Sequence, residues 1–130
     1  MHIGLLEDNP AIQEYLQKAL ELHGHRVSIH TRGKSLLDSL FAGKSASTSH
    51  PYDLVIIDLN LPGELSGRDV ILCMRKAVPP VMLPIVVISG APEAQLEQLR
   101  RLFPDISYIQ KPFKLQMLFQ MLEMSNELQH

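Results

Sequence analysis

Apolar positions along the chain come in two textures. In the first, mostly apolar residues stand side by side: Ile3-Gly4-Leu5-Leu6, Leu54-Val55-Ile56-Ile57 and Ile85-Val86-Val87-Ile88. A shorter run lies at Ile106–Ile109, and a weakly alternating one at His25–His30. Consecutive apolar residues without polar alternation suit parallel strands covered on both faces. In the second texture, apolar residues recur every three or four positions. Ile12, Leu16, Ala19, Leu20 and Leu22 form such a stripe, as do Leu36, Leu37, Leu40 and Phe41. This spacing predicts helices over about Pro10–His23 and Gly33–Phe41, with others near Arg68–Ala77, Pro92–Leu102 and Phe113–Asn126. Punctuation agrees: Asn9-Pro10 reads as an N-cap followed by proline in the first turn, and Gly24 as a C-terminal stop. Val78-Pro79-Pro80 breaks the third helix. The loops include a Pro- and Gly-containing one at Leu61–Gly67 and a long polar one at Gly43–Pro51. Strand and helix alternate five times, which predicts an α/β fold of (βα)5 type with a doubly wound parallel sheet. Short right-handed crossovers lead to the strand order 2-1-3-4-5. Residues 1–130 read as one domain with no internal repeat.

Composition narrows the setting. Hydrophobic residues make up 45% and charged residues 20%, so a core can form, while the net charge of -2 supplies no global field for nucleic acid or an anionic membrane. Direct nucleic-acid binding by this domain is not expected. No apolar stretch approaches the ~20 residues a membrane-spanning helix needs. The single Cys73 excludes an internal disulfide, fits a reducing compartment, and reads as a packing residue in its helix. No signal peptide is visible after Met1, so the expected location is the cytoplasm. The six histidines show no metal-ligand spacing, and His23 and His25 are expected to face solvent.

The chemistry lies at the strand ends. The first strand runs into Glu7-Asp8, the third into Asp58, the fourth into Ser89 and the fifth into Lys111-Pro112. In an open parallel sheet, ligands bind outside the carboxyl ends of the strands, at the point where strand order reverses. The order 2-1-3-4-5 makes the first and third strands neighbours, so three carboxylates would meet there. Two unit charges ~4 Å apart repel by about 4 kcal/mol at an effective dielectric near 20. Either one acid stays protonated or a divalent cation sits among them. An all-oxygen set favours Mg²⁺, with Mn²⁺ as a substitute. A carboxylate can attack phosphorus, and phosphoryl transfer needs mainly positioning and charge neutralisation, which Lys111 and the hydroxyl of Ser89 could supply.

Taken together, Glu7-Asp8, Asp58 within Asp53–Gly63, Ser89-Gly90, Tyr108 and Lys111-Pro112-Phe113 resemble the CheY-like receiver domain of two-component response regulators, over essentially the whole chain. The family fold is flavodoxin-like with the same strand order, so the topology owes part of its force to the resemblance. The resemblance implies that a sensor histidine kinase or histidine phosphotransfer protein donates a phosphoryl group to Asp58. Asp8 and Asp58 would hold Mg²⁺, with Glu7 acting through water and Asn60 contributing its backbone carbonyl. Lys111 would pair with the phosphoryl group, and Ser89 and Tyr108 would be the switch residues. The Lys111-Pro112 peptide would be cis. The surface of the fourth helix, fifth strand and fifth helix would then change, controlling an output domain or partner or forming a homodimer. The domain would catalyse only its own phosphorylation and dephosphorylation. Two departures stand out: Gly67 lies nine positions after Asp58 rather than the usual eight, and the loop after the second helix is longer than typical.

Other features compete for roles. In the last helix Leu115, Leu118, Phe119 and Leu122 form a stripe for the sheet, while Phe113, Met117, Met121 and Met124 form a second. The second stripe reads either as incidental exposure or as a partner surface. Arg100-Arg101 reads as a solvated face, with contact to a partner's acidic groups as the lesser alternative. Two alternatives to the switch remain. One is a pseudo-receiver used as an interaction module without phosphoryl transfer. The other is an aspartyl-phosphate phosphohydrolase, disfavoured because Asn60 stands where such enzymes carry a second acid.

Overall fold

A computed structural model describes residues 1–41, 51–59, 65–79 and 82–129, with side chains to residue 125. Five strands alternate with five helices: β1 (His2–Leu6), α1 (Pro10–Leu22), β2 (Arg26–His30), α2 (Gly33–Phe41), β3 (Leu54–Asp58), α3 (Gly67–Ala77), β4 (Ile85–Ser89), α4 (Glu93–Leu102), β5 (Ser107–Gln110) and α5 (Leu115–Gln129). All pairings are parallel and the order is β2-β1-β3-β4-β5, the doubly wound arrangement the sequence predicts. Among the described residues, no helix is long and apolar enough to cross a membrane.

The consecutive apolar runs are explained by burial on both faces. Every residue of β3 and β4 is buried. Side chains alternate across the sheet, so Val55, Ile57 and Val87 join a core under α2, α3 and α4, while Leu54, Ile56, Val86 and Ile88 join one under α1 and α5. The caps sit where the sequence puts them. The Asn9 side chain accepts hydrogen bonds from the amides of Ala11 (2.9 Å) and Ile12 (3.3 Å). Gly24 takes a φ of +86° where α1 stops, and the His25 amide reaches back to the Leu20 carbonyl at 3.1 Å.

Several expectations need correction. Cys73 is exposed on α3 and packs into neither core, because Ile71 and Met74 point inward in its place. Leu22 is 87% exposed, since α1 has turned its inward stripe to Leu16 and Leu20. His25 is partly buried, its Nδ1 lying 3.1 Å from the N-terminal amine, while exposed His23 lays its ring 3.7 Å from that of Phe119. Burial and the adjacent positive charges of the terminus and His23 hold the His25 pKa below the usual range. The polar loop at Gly43–Pro51 falls mostly on residues 42–50, outside the described residues, as do residues 61–64 of the loop at Leu61–Gly67.

Candidate functional site

The site grows from the carboxyl edge of the sheet. Asp58 and Ser89 are the last residues of β3 and β4, Glu7 follows β1, and Lys111 follows β5. Because β1 pairs with β3, and β3 with β4, the three acids converge. Carboxylate oxygens of Glu7, Asp8 and Asp58 all lie within 4.8 Å of one another. Glu7 and Asp58 are 2% and 5% exposed, and Asp8 is intermediate. Backbone bonds hold this arrangement. The Glu7 amide donates to the His30 carbonyl of β2 at 3.0 Å, and Glu7 Oε2 accepts from the Asp8 amide at 3.0 Å.

Lys111 reaches across the sheet edge. Its Nζ lies 3.3 Å from Glu7 Oε1 and 3.4 Å from Asp58 Oδ2. The Lys111-Pro112 peptide is cis. Three carboxylates against one ammonium leave the cluster short of positive charge. Burial pushes the Glu7 carboxyl up to about 7, with the hydrogen bond to Asp58 and the Asp58 charge acting in the same direction and Lys111 opposing. An all-oxygen cluster that strains toward protonation fits a hard divalent cation. Asn60, the remaining ligand implied by the resemblance, lies outside the described residues.

Ser89 is fully buried. Its Oγ accepts from the Ala91 amide at 2.9 Å, which fixes the oxygen and leaves the hydroxyl proton as a donor. The Ser89 carbonyl accepts from the Lys111 amide at 2.7 Å. Gln110, which the sequence did not single out, adds a second tie: its Nε2 donates to the Ala91 carbonyl at 3.3 Å. The end of β4 and the loop just after it are thus each tied to the end of β5 and the residue that follows it. Gln110 announces itself only through register, opposite Ser89.

Tyr108 faces the α4 side of the sheet, partly buried. Its hydroxyl donates to the carbonyls of Leu99 (3.0 Å) and Phe103 (3.3 Å), and burial pushes its pKa up to about 12. Arg100 is exposed, as expected of a solvated face, and within that face it pairs with Glu93 at 2.6 Å and places its guanidinium carbon 5.6 Å from the Tyr108 ring centroid. Gly67 also gains a role. A Cβ there would fall 2.7 Å from both the Asp58 carbonyl oxygen and the Leu59 Cα, so α3 begins against the end of β3 itself. The second stripe of α5 divides. Phe113 and Met121 pack partly on the core beside α1, whereas Met117 and Met124 are 51% and 61% exposed.

Comparison with known proteins converges with this geometry. The chain is 34% identical to the transcriptional regulatory protein QseB of Escherichia coli O157:H7, over all of this chain and 59% of that protein. It is 31% identical to the cell cycle transcriptional regulator CtrA of Caulobacter vibrioides, over 87% of this chain and 45% of that protein. The chain therefore spans about half the length of the curated relatives it matches. In fold it superposes on the BeF3-activated N-terminal receiver domain of Klebsiella pneumoniae RstA with a TM-score of 0.80 at 22% identity, covering both chains fully. It also matches the response regulator TrrA of Thermotoga maritima, solved with Mg(2+)-BeF, with a TM-score of 0.76 at 24% identity, covering 95% of this chain and 97% of that one. The family profile of the response regulator receiver domain matches residues 3–123, and the chain belongs to that family.

Proposed function

We propose that this receiver domain is a phosphorylation-dependent switch that takes a phosphoryl group from a phosphohistidine onto Asp58. The observation that supports it most is the ammonium of Lys111 within 3.4 Å of both Asp58 and Glu7, on the edge where three carboxylates converge. An Asp58 carboxylate oxygen would attack phosphorus, the bond from phosphorus to the imidazole nitrogen would break, and the departing imidazole would leave with the electron pair and take up a proton. The product is an acyl phosphate on Asp58. Glu7, Asp8 and Asp58 would hold Mg²⁺, which supplies positive charge to the phosphoryl oxygens during transfer. Lys111 exchanges its carboxylate partners for a phosphoryl oxygen, and Ser89 donates its hydroxyl proton to another. Tyr108 then changes orientation, and the surface of α4, β5 and α5 changes with it, biasing a two-state equilibrium. That surface would address an output domain, a downstream partner or a second copy, with Met117 and Met124 as its adaptable apolar contacts. The donor would be a sensor histidine kinase or a histidine phosphotransfer protein. The relatives are transcriptional regulators roughly twice this length, which favours an output that acts on transcription.

The test is acid-labile labelling by a small phosphodonor such as acetyl phosphate with Mg²⁺. One phosphoryl group should add to the wild type and none to Asp58→Asn, with both variants melting cooperatively. Label on Asp58→Asn moves the acceptor elsewhere, and an unlabelled wild type favours an interaction module without phosphoryl transfer. Sustained turnover of a phosphate ester would instead indicate a phosphohydrolase.

A further inference from the structure

Tyr108 sits in a contact that the family chemistry does not require. Tyr108 is three residues before Lys111 on β5 and level with Val87 of β4, so its ring lies beneath the last turn of α4. Two residues of α4 and the one that caps it engage Tyr108. The carbonyls of Leu99 and Phe103 accept from its hydroxyl at 3.0 and 3.3 Å, and Arg100 covers its ring at 5.6 Å. Helix carbonyls at a C-terminus carry the negative end of the macrodipole and are good acceptors for a phenol. The guanidinium is drawn to the ring face by the aromatic quadrupole. Arg100 is itself held from the first turn of the same helix, where Glu93 Oε1 lies 2.6 Å from its Nη1.

We propose that Arg100 is a positioning residue for Tyr108: anchored by Glu93, it holds the ring in the orientation that accompanies the pairing of Lys111 with Glu7 and Asp58. This rests on reading the site as a phosphorylation switch. The logic is linkage. Phosphorylation draws Lys111 away from the two carboxylates, and the switch asks Tyr108 to leave its present seat. A contact present only in the starting state opposes that change, so its loss must favour the phosphorylated-like state. Glu93 and Arg100 are seven residues apart, two turns of α4, so their pairing spans the helix from its first turn to its last.

The test uses Arg100→Ala, Arg100→Lys and Glu93→Gln in the full chain, with two readouts. The first is the NMR signal of the Tyr108 ring in protein carrying labelled tyrosine. Arg100→Ala should shift and broaden it, Glu93→Gln should do so less, and Arg100→Lys, which keeps a cation over the ring, should stay near wild type. The second is affinity for beryllofluoride with Mg²⁺. Arg100→Ala should bind about two- to five-fold more tightly, the size expected from one partly exposed cation–π contact. An unmoved Tyr108 signal, or an affinity unchanged or weakened, overturns the proposal. If even the wild type binds no beryllofluoride, the switch reading fails, and the ring signal alone still decides whether Arg100 positions Tyr108.

Discussion

Gly67 matters for the atom it lacks. Any side chain there would drive a Cβ to 2.7 Å from the carbonyl oxygen of Asp58 and the Cα of Leu59, both backbone and unable to swing aside. Gly67→Ala should therefore displace the end of β3, the segment that carries the proposed phosphoacceptor. We expect a loss of about 1–3 kcal/mol, typical of overpacking, read by urea unfolding, together with slower labelling of Asp58 by acetyl phosphate. An alanine variant with wild-type stability and labelling would contradict the close approach. The sequence exposes this glycine only as a spacing oddity, nine residues past Asp58. Its job depends on two backbones meeting, which no linear pattern records. The acids, Ser89 and Lys111 are different: each follows directly from an apolar run, so strand order alone brings them together. Arg100 is half legible: its exposure follows from the sequence, but its neighbour does not. On a helical wheel it is simply a charged residue on a polar face, and its contact with Tyr108 exists only once α4 lies over β5.

At the level of elements, strands were far more legible than helix faces. A strand buried on both sides must be apolar throughout, as β3 and β4 are. A helix with surplus apolar residues can settle in more than one rotation. In α5 the core takes Leu118 and Leu122 fully and Met121 in part, leaving Met117 and Met124 outside. In α3 the surplus residue is Cys73, which the helix turns outward. The start of α3 is fixed instead by a reciprocal cap. Ser66 Oγ accepts from the Asp69 amide at 3.2 Å, and Asp69 Oδ2 accepts from the Ser66 amide at 3.1 Å. Ser66→Ala should cost about 1 kcal/mol of folding stability, measured as a lowered urea midpoint at unchanged slope. Because this cap sits one residue before Gly67, the same variant should also slow labelling of Asp58. A midpoint equal to the wild type would mean the cap contributes nothing.

Across the whole molecule, burial moves two titratable groups so that their effects on stability oppose each other with pH. His30 closes β2, with its side chain 2.6 Å from the Tyr52 hydroxyl and 2.7 Å from Ser35 Oγ, and burial holds its pKa below the ordinary 6.5. The unfolded chain thus takes up a proton near pH 6.5 that the folded protein accepts only at lower pH. Stability from this group falls as pH drops below about 6.5 and is fully retained above it. Glu7, pushed up to about 7, works the other way: the folded protein keeps a proton the unfolded chain has released, and that contribution is lost as pH rises toward 7. Melting the wild type and His30→Asn from pH 5 to 8 without divalent cations separates the two. The difference between the curves should change below pH 6.5 and flatten above it. A difference flat throughout would show that His30 does not titrate with folding.

The bond from the Lys111 amide to the Ser89 carbonyl has a last consequence. β5 is a four-residue edge strand, so one neighbour alone dictates its alignment. Sliding it by a single position would turn the lysine toward the opposite layer and part it from the hydroxyl beside it. On the proposed function, reading phosphate is therefore a matter of alignment at the rim, where one peptide contact keeps an amine and an alcohol in step.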